Sequence, residues 1–224
     1  MNIAILGTGI VARTVTRRLL AAGHSVVLGS RDPRDEGLAE WLAQQTGDAQ
    51  AASHADAVSS GELVINALPG HIALSALTAV NPADLAGKVL LDLANAVVPS
   101  DTGMDLLYPN ASLAAAIQEA LPETRVVKSM NTMSALVMED PAALPSPTNI
   151  FLCGNDADAK QSVSKLLRDL GWPQQAIIDL GGIDAARATE HLFPLLAALF
   201  GATGTMRLNF AVIREPATMN AEAK

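Results

Sequence analysis

The stretch that most constrains this chain is its opening, where Met1-Asn2-Ile3-Ala4-Ile5-Leu6 runs straight into Gly7-Thr8-Gly9-Ile10-Val11-Ala12. The apolar run Ile3 to Leu6 reads as a buried parallel strand. Val11, Val15, Leu19 and Leu20 then recur at helical spacing, with Gly23 as a C-terminal stop. A strand, a tight glycine turn and a helix form the setting in which G-x-G-x-x-G/A has a physical meaning. Gly7 permits the sharp turn, and Gly9 brings no side chain to hold a pyrophosphate off the backbone. Ala12 is small enough for the helix to pack on the strand. The helix N-terminus turns N–H groups and the positive end of its dipole toward phosphate. Gly7, Thr8, Gly9, Ile10, Val11 and Ala12 are therefore expected to form the floor of a dinucleotide site.

Which dinucleotide is read at the next strand tip. Gly23-His24-Ser25-Val26-Val27-Leu28 reads as the second strand, leading into Gly29-Ser30-Arg31-Asp32-Pro33-Arg34. An NAD site places a carboxylate here for the ribose 2′-hydroxyl, and that group would repel a 2′-phosphate. Here the position holds Gly29-Ser30 followed by arginine. Ser30 can donate to a phosphate, Arg31 can bind one in a fork, and Arg34 and Thr8 stand within reach. The expected cofactor is NADP.

The chain continues in alternating strands and helices, the pattern of a doubly wound α/β protein. Asp35 to Thr46 reads as an amphipathic helix, Ala49–Ala52 as a short strand and Ala55–Ser59 as a small helix. Glu62 to Leu68 is a buried strand tipped by Ala67-Leu68-Pro69-Gly70-His71. Pro69 has no N–H and fixes an apolar wall suited to ribose and nicotinamide. His71 either faces substrate or opens a helix into solvent. Ile72 to Val80 reads as a helix, and Lys88 to Leu93 as a strand tipped by Ala94-Asn95-Ala96. Residues 97–110 read as a long loop, a candidate flap. Leu113 to Leu121 reads as a helix, and Arg125 to Met130 as a strand tipped by Met130, Asn131 and Thr132. These polar tips can grip a nicotinamide carboxamide, and Thr132 or Ser134 can cap a helix at the same time.

Pro141 to Pro147 is the linker by composition. It divides a cofactor domain at 1–140 from a small C-terminal α/β extension at 148–224. That extension contains Asn149–Leu152, a helix from Asp156 to Leu170, Ala176–Leu180, an apolar helix from Asp184 to Phe200 and strand-like 207–213. The last helix (Leu192, Phe193, Leu195, Leu196, Leu199, Phe200) is too apolar for a solvated surface. It covers the sheet of one monomer or packs on a second copy, and a homodimer with the acceptor pocket near that interface is expected. Glu190 and Arg187 on the same helix read as ordinary polar contacts.

Composition narrows the function classes. With 224 residues and 50% hydrophobic content, the chain can bury a sizeable core, and aromatics at 3% leave that core to Ala, Leu, Val and Ile. A net charge of −8 argues against a nucleic-acid partner, which would need a basic face. The single cysteine, Cys153, excludes an internal disulfide and a cysteine-based metal cluster. No apolar stretch reaches the ~18 residues of a membrane span and no leader is evident, so a soluble, cytoplasmic protein is expected. No metal ligand set, nucleophile–base pair or carboxylate pair stands out, and no residue is assigned as catalytic. Direct hydride transfer suits such a chain, because it needs two rings held face to face and dry.

With these residues in view, the sequence resembles the NADP oxidoreductases that reduce or oxidise the deazaflavin coenzyme F420. The same cofactor domain occurs in the cytosolic part of STEAP-type metalloreductases. The resemblance runs nearly end to end. It rests on Gly7–Ala12, Gly29-Ser30-Arg31, Ala67-Leu68-Pro69, Val127-Lys128-Ser129-Met130-Asn131-Thr132, and Asp179-Leu180-Gly181 leading to Asp184 through Glu190. It implies that the first loop holds pyrophosphate, the Ser-Arg tip holds the 2′-phosphate and the other tips frame the nicotinamide. Many members carry Gly at Ala12, a small polar residue at Ile10, and a lysine after the Ser-Arg tip, where Arg34 stands in. The implied activity is hydride transfer between NADP(H) and F420 as co-substrate, by ring positioning. The alternatives are an NADPH-dependent reductase of another acceptor (flavin, metal chelate, carbonyl or imine) and a non-catalytic NADP(H)-binding regulator.

Overall fold

In a computed structural model of the protein, the structure describes residues 1–101 and 103–215. Thr102 of the expected flap and residues 216–224 of the expected extension lie outside the described residues. The order of elements is β1 (Asn2–Leu6), α1 (Ile10–Ala21), β2 (Ser25–Ser30), α2 (Glu36–Ala43), β3 (Ala49–Ser53), α3 (His54–Ser60), β4 (Leu63–Asn66), α4 (Gly70–Thr78), α5 (Pro82–Leu85) and β5 (Val89–Asp92). There follow β6 (Val97–Ser100), β7 (Gly103–Leu106), α6 (Leu113–Ala120), β8 (Arg125–Ser129), α7 (Ala135–Glu139), β9 (Ile150–Gly154), α8 (Ala157–Asp169), β10 (Ile177–Asp179), α9 (Ala186–His191) and α10 (Phe193–Thr203).

One eight-stranded sheet runs in the order β10-β9-β8-β5-β4-β1-β2-β3. The strands from β3 to β8 are parallel, in the doubly wound Rossmann arrangement. β9 joins β8 antiparallel, and β10 joins β9 parallel. Strands buried on both faces read as continuous apolar runs because each face meets helices. Ile3 and Ile5 point to one layer with Val15, Leu19, Leu38, Val137, Met138, Val163 and Leu166, from α1, α2, α7 and α8. Ala4 and Leu6 point to the other, with Ala57, Val58, Ala73, Leu77, Leu113 and Ile117, from α3, α4 and α6. Each large aliphatic side chain so buried contributes about 1.5–3 kcal/mol.

Three expectations need correction. The supposed loop at 97–110 contains an antiparallel hairpin, β6 with β7, pairing Val97 with Leu106 and Ser100 with Gly103. The helix expected over 184–200 is broken into α9 and α10, because Pro194 in the first turn of α10 cannot continue the helix before it. Residues 207–213 form no strand. They run beside the start of β9, held by Asn149 N donating to Phe210 O (2.8 Å), by the Asn209 amide, and by Val212 N donating to Asn149 Oδ1 (2.7 Å). An apolar alternation without a ladder partner does not make a strand.

Candidate functional site

Parallel register brings the tips of β2, β1 and β4 into one line. Leu6 stands opposite Gly29 on one side and Asn66 on the other. The turn after β1 is tied to both neighbours: Gly7 N donates to Gly29 O, and Ala67 N to Leu6 O, each at 3.0 Å. Gly7 has φ +116°, and a Cβ there would lie 2.7 Å from the Ala67 carbonyl oxygen. Only glycine fits this backbone and this approach. Gly9 differs: nothing lies within 4 Å of the Cβ it lacks. That open space faces the start of α1, whose N-terminus has neither a side-chain cap nor an acidic residue in its first turn. An uncapped N-terminus with room before it is what a pyrophosphate requires. Arg13 stiffens the turn, its Nε donating to Thr8 O at 3.0 Å and its guanidinium lying 5.1 Å from the centre of the Trp41 ring.

A cleft of about 1410 Å³ opens along these tips. It exceeds the roughly 300–1,000 Å³ of a site for one small ligand. Of the residues singled out from sequence, Gly7, Thr8, Gly9, Ile10, Val11, Ser30, Arg31, Ala67, Leu68, Pro69, Ala94, Asn95 and Asn131 line it. Five do not. Ala12 is fully buried on the inner face of α1, doing the packing that its small size allows. Met130 and Thr132 are buried beneath the tips, Met130 with φ +62°. His71 and Arg34 are exposed and do not line the cleft. The asparagine amides read as carboxamide ligands are engaged with each other: Asn95 Nδ2 donates to Asn131 O (2.7 Å), and Asn131 Nδ2 to Asn95 Oδ1 (3.0 Å).

The two ends of the cleft differ in chemistry. Among the described residues its charged or titratable lining side chains are Arg31, Asp32, Asp35 and His54, all at the β2–α2 and β3–α3 connections. There the Ser30 hydroxyl donates to Asp32 O (2.9 Å) and accepts from Asp32 N (3.1 Å), while Asp35 caps α2 by accepting from Leu38 N (2.8 Å). The other end is apolar, with Leu68, Pro69 and Ile72 facing Phe193, Leu196, Phe200 and Met206. The α10 residues follow helical spacing, and the apolar helix expected beside the acceptor pocket lines the cleft. His54 escaped notice as a lone histidine in an Ala/Ser run.

Beneath the apolar end lies a buried ion network. Lys128 Nζ is 2.7 Å from Asp92 Oδ2 and 3.0 Å from Glu190 Oε1, and it also donates to Ala94 O. Burial alone would push the ammonium pKa down, but the two carboxylates outweigh it and the pKa is raised. Asp92 Oδ1 accepts from Asn66 Nδ2 (2.7 Å) and Ala94 N (3.1 Å). Glu190 accepts from Leu113 N (2.9 Å) and Ala114 N (3.2 Å) at the start of α6. The residue read as an ordinary polar contact therefore ties α9 to the sheet and to α6. Cys153 is buried, and desolvation pushes its thiol pKa up to about 12, which makes it a poor nucleophile. Among the described residues no cluster of His, Cys, Asp and Glu could hold a metal, and no helix is long and apolar enough to cross a membrane.

Strand order, glycine turn and two-ended cleft define a dinucleotide-binding oxidoreductase of the doubly wound class. Comparison with known proteins narrows this further. Residues 2–96 match the family described as NADP oxidoreductase, coenzyme F420-dependent. The F420-dependent NADP reductase of Methanocaldococcus jannaschii is 31% identical over 211 residues, covering 89% of this chain and 92% of that protein. The chain belongs to this family of NADP-dependent oxidoreductases. The rat metalloreductase STEAP3 is 34% identical over 85% of the chain, which spans 36% of that longer protein. A crystal structure from Arthrobacter sp. FB24, provisionally described as an F420-dependent NADP reductase, superposes with a TM-score of 0.90 at 41% identity over 96% of this chain and all of that one. An Aspergillus terreus reductive aminase shares the fold, with a TM-score of 0.65 at 22% identity over 91% of this chain and 62% of that one.

Proposed function

We propose that this chain transfers hydride between NADP(H) and the deazaflavin coenzyme F420, acting by holding two rings together. The observation that carries this reading is the division of the cleft. A polar end supplies Ser30 and Arg31 to a 2′-phosphate, the open N-terminus of α1 receives the pyrophosphate, and an apolar end encloses space for the nicotinamide and a second ring. Pro69 and Leu68 form one wall of that space, and Phe193, Leu196 and Phe200 the other. No acid or base is needed at the reacting carbons when hydride passes directly, so exclusion of water and alignment are the protein's contribution. In this reading residues 1–140 are the NADP-binding unit, and 148–224 an extension that closes the acceptor side. The protein acts in the cytoplasm, as a homodimer formed through the apolar outer surface of α10.

A second reading, reduction of a different acceptor, draws on the same apolar end. Among the described residues it offers no charged lining side chain to select an acceptor by charge. Mixing the protein with NADPH and a panel of deazaflavin, flavin, ferric chelate, carbonyl and imine, while following absorbance, separates the readings. Turnover of the deazaflavin supports the first, and turnover only of another acceptor supports the second. Tight NADPH binding without turnover of any would make the chain a regulator.

A further inference from the structure

One side chain at the polar end has no role in the reading above. β2 and β3 are paired so that Ser30 stands opposite Ser53. The next residues, Arg31 and His54, therefore leave the sheet side by side, and both line the cleft. His54 opens α3, and its ring occupies the room that Gly29 leaves: a Cβ on Gly29 would lie 3.1 Å from His54 Cδ2 and 2.7 Å from a Leu6 methyl. Glycine at the end of β2 is thus what lets an imidazole stand beside Ser30 and Arg31. Among the described residues no carboxylate is ion-paired with His54 or Arg31.

We propose that His54 is a specificity-determining residue of the cofactor site, donating to the 2′-phosphate that distinguishes NADP from NAD. This rests on the reading that the cleft takes NADP. In the free protein, burial and then the Arg31 charge hold the imidazole below its ordinary value of 6.5, against an opposing contribution from the Gly29 backbone. A dianionic phosphate reverses that balance, because an adjacent anion favours the imidazolium. Binding NADP then draws a proton onto His54, whereas NAD has no such phosphate. The sign follows: the affinity that His54 adds is present at low pH and is lost as pH rises through the pKa of the bound state. Other charged groups nearby are Asp32 and Asp35 on the β2–α2 connection, Asp56 on α3 itself, and Asp84 on α5. Asp35 is occupied in capping α2, and Asp56 accepts from the Ser53 hydroxyl at 2.6 Å. β1 and β3 contribute no titratable side chain.

The test is calorimetric titration of the full chain with NADP+ and NAD+ near neutral pH, in buffers of different ionisation enthalpy. The native protein should bind NADP+ more tightly than NAD+, and take up protons with NADP+ only. His54→Gln should weaken NADP+ about tenfold, the order expected for one hydrogen bond to a charged group, and abolish the uptake. NAD+ affinity, the internal check on folding, should not change. His54→Ala should give the same pattern with at least as large a loss. If His54→Gln kept the native NADP+ affinity and proton uptake, the proposal would be overturned. Equal losses for NADP+ and NAD+ would also overturn it, by making His54 structural. A native protein that bound NADP+ and NAD+ equally would instead sink the cofactor reading itself.

Discussion

Lys128 Nζ lies 2.7 Å from Asp92 Oδ2 with both side chains fully out of solvent, and Glu190 completes the set 3.0 Å away. β5, β8 and α9 are joined there by charge, and the same ammonium holds the Ala94 carbonyl at the edge of the cleft. Removing the cation leaves two buried carboxylates without their partner, which costs about 3–5 kcal/mol. Lys128→Met should therefore lower the thermal midpoint far more than an exposed Lys→Met such as Lys165→Met. The native sign is also defined. The folded pKa stands above 10.5, so the contribution is fully present below 10.5 and is lost only as pH rises through the folded value. Thermal melts from pH 7 to pH 11 check both statements. An unaltered midpoint in Lys128→Met would contradict them.

Two glycines of one turn should respond oppositely. A side chain at Gly9 meets nothing within 4 Å, so Gly9→Val should fold with a near-native midpoint and lose NADPH binding. Gly7→Ala combines φ +116° with a 2.7 Å approach to the Ala67 carbonyl, and should destabilise the fold directly. Melting and cofactor titration of both variants distinguish the two outcomes. Normal NADPH binding by Gly9→Val would remove the pyrophosphate from this turn.

Arg31 is exposed and, among the described residues, in no ion pair, so it can fork onto a phosphate. Arg31→Ala should cost about 1.5–3 kcal/mol of NADPH affinity, some ten- to hundredfold, and leave NADH almost unchanged. Fluorescence titration with both cofactors measures this. Equal losses would make the arginine structural.

On α10 and the tail after it, Leu195, Val212 and Ile213 are exposed by 50%, 49% and 96% and do not line the cleft. Exposed apolar side chains of this kind fit a contact between copies. Sedimentation at micromolar concentration should give twice the 23.2 kDa of one chain, and Leu195→Glu should shift it toward one. A native protein sedimenting as 23.2 kDa would rule out the dimer.

What could be read before the structure was chiefly local. The strand, turn and helix from Asn2 to Ala21 follow from contacts within twenty residues, and their boundaries agree with the sequence to within a residue or two. Direction and partnership are tertiary. Nothing in Ile150–Gly154 announces that β9 runs against β8, and residues 207–213 alternate like a strand but meet no ladder. The short hairpin at 97–106 has strands of four residues, too short for periodicity to register. The cleft shows the same division. Glycines and most tip residues declared themselves by motif, and Phe193, Leu196 and Phe200 by the apolar stripe of the last helix, whereas His54 is brought in only by the Ser30–Ser53 register. His71 shows the converse: its place at a strand tip suggested the site, and the first turn of α4 points it to solvent.

The most direct measurement is anaerobic turnover with NADPH carrying deuterium at the transferable position of nicotinamide C4 and oxidised F420 as acceptor. The deazaflavin's visible absorbance should be lost, with the deuterium recovered on carbon in the reduced ring at full enrichment, because a hydride passing directly between stacked rings does not meet water. No turnover of F420 by protein that binds NADPH, or reduced F420 whose label has exchanged into solvent, would contradict direct transfer.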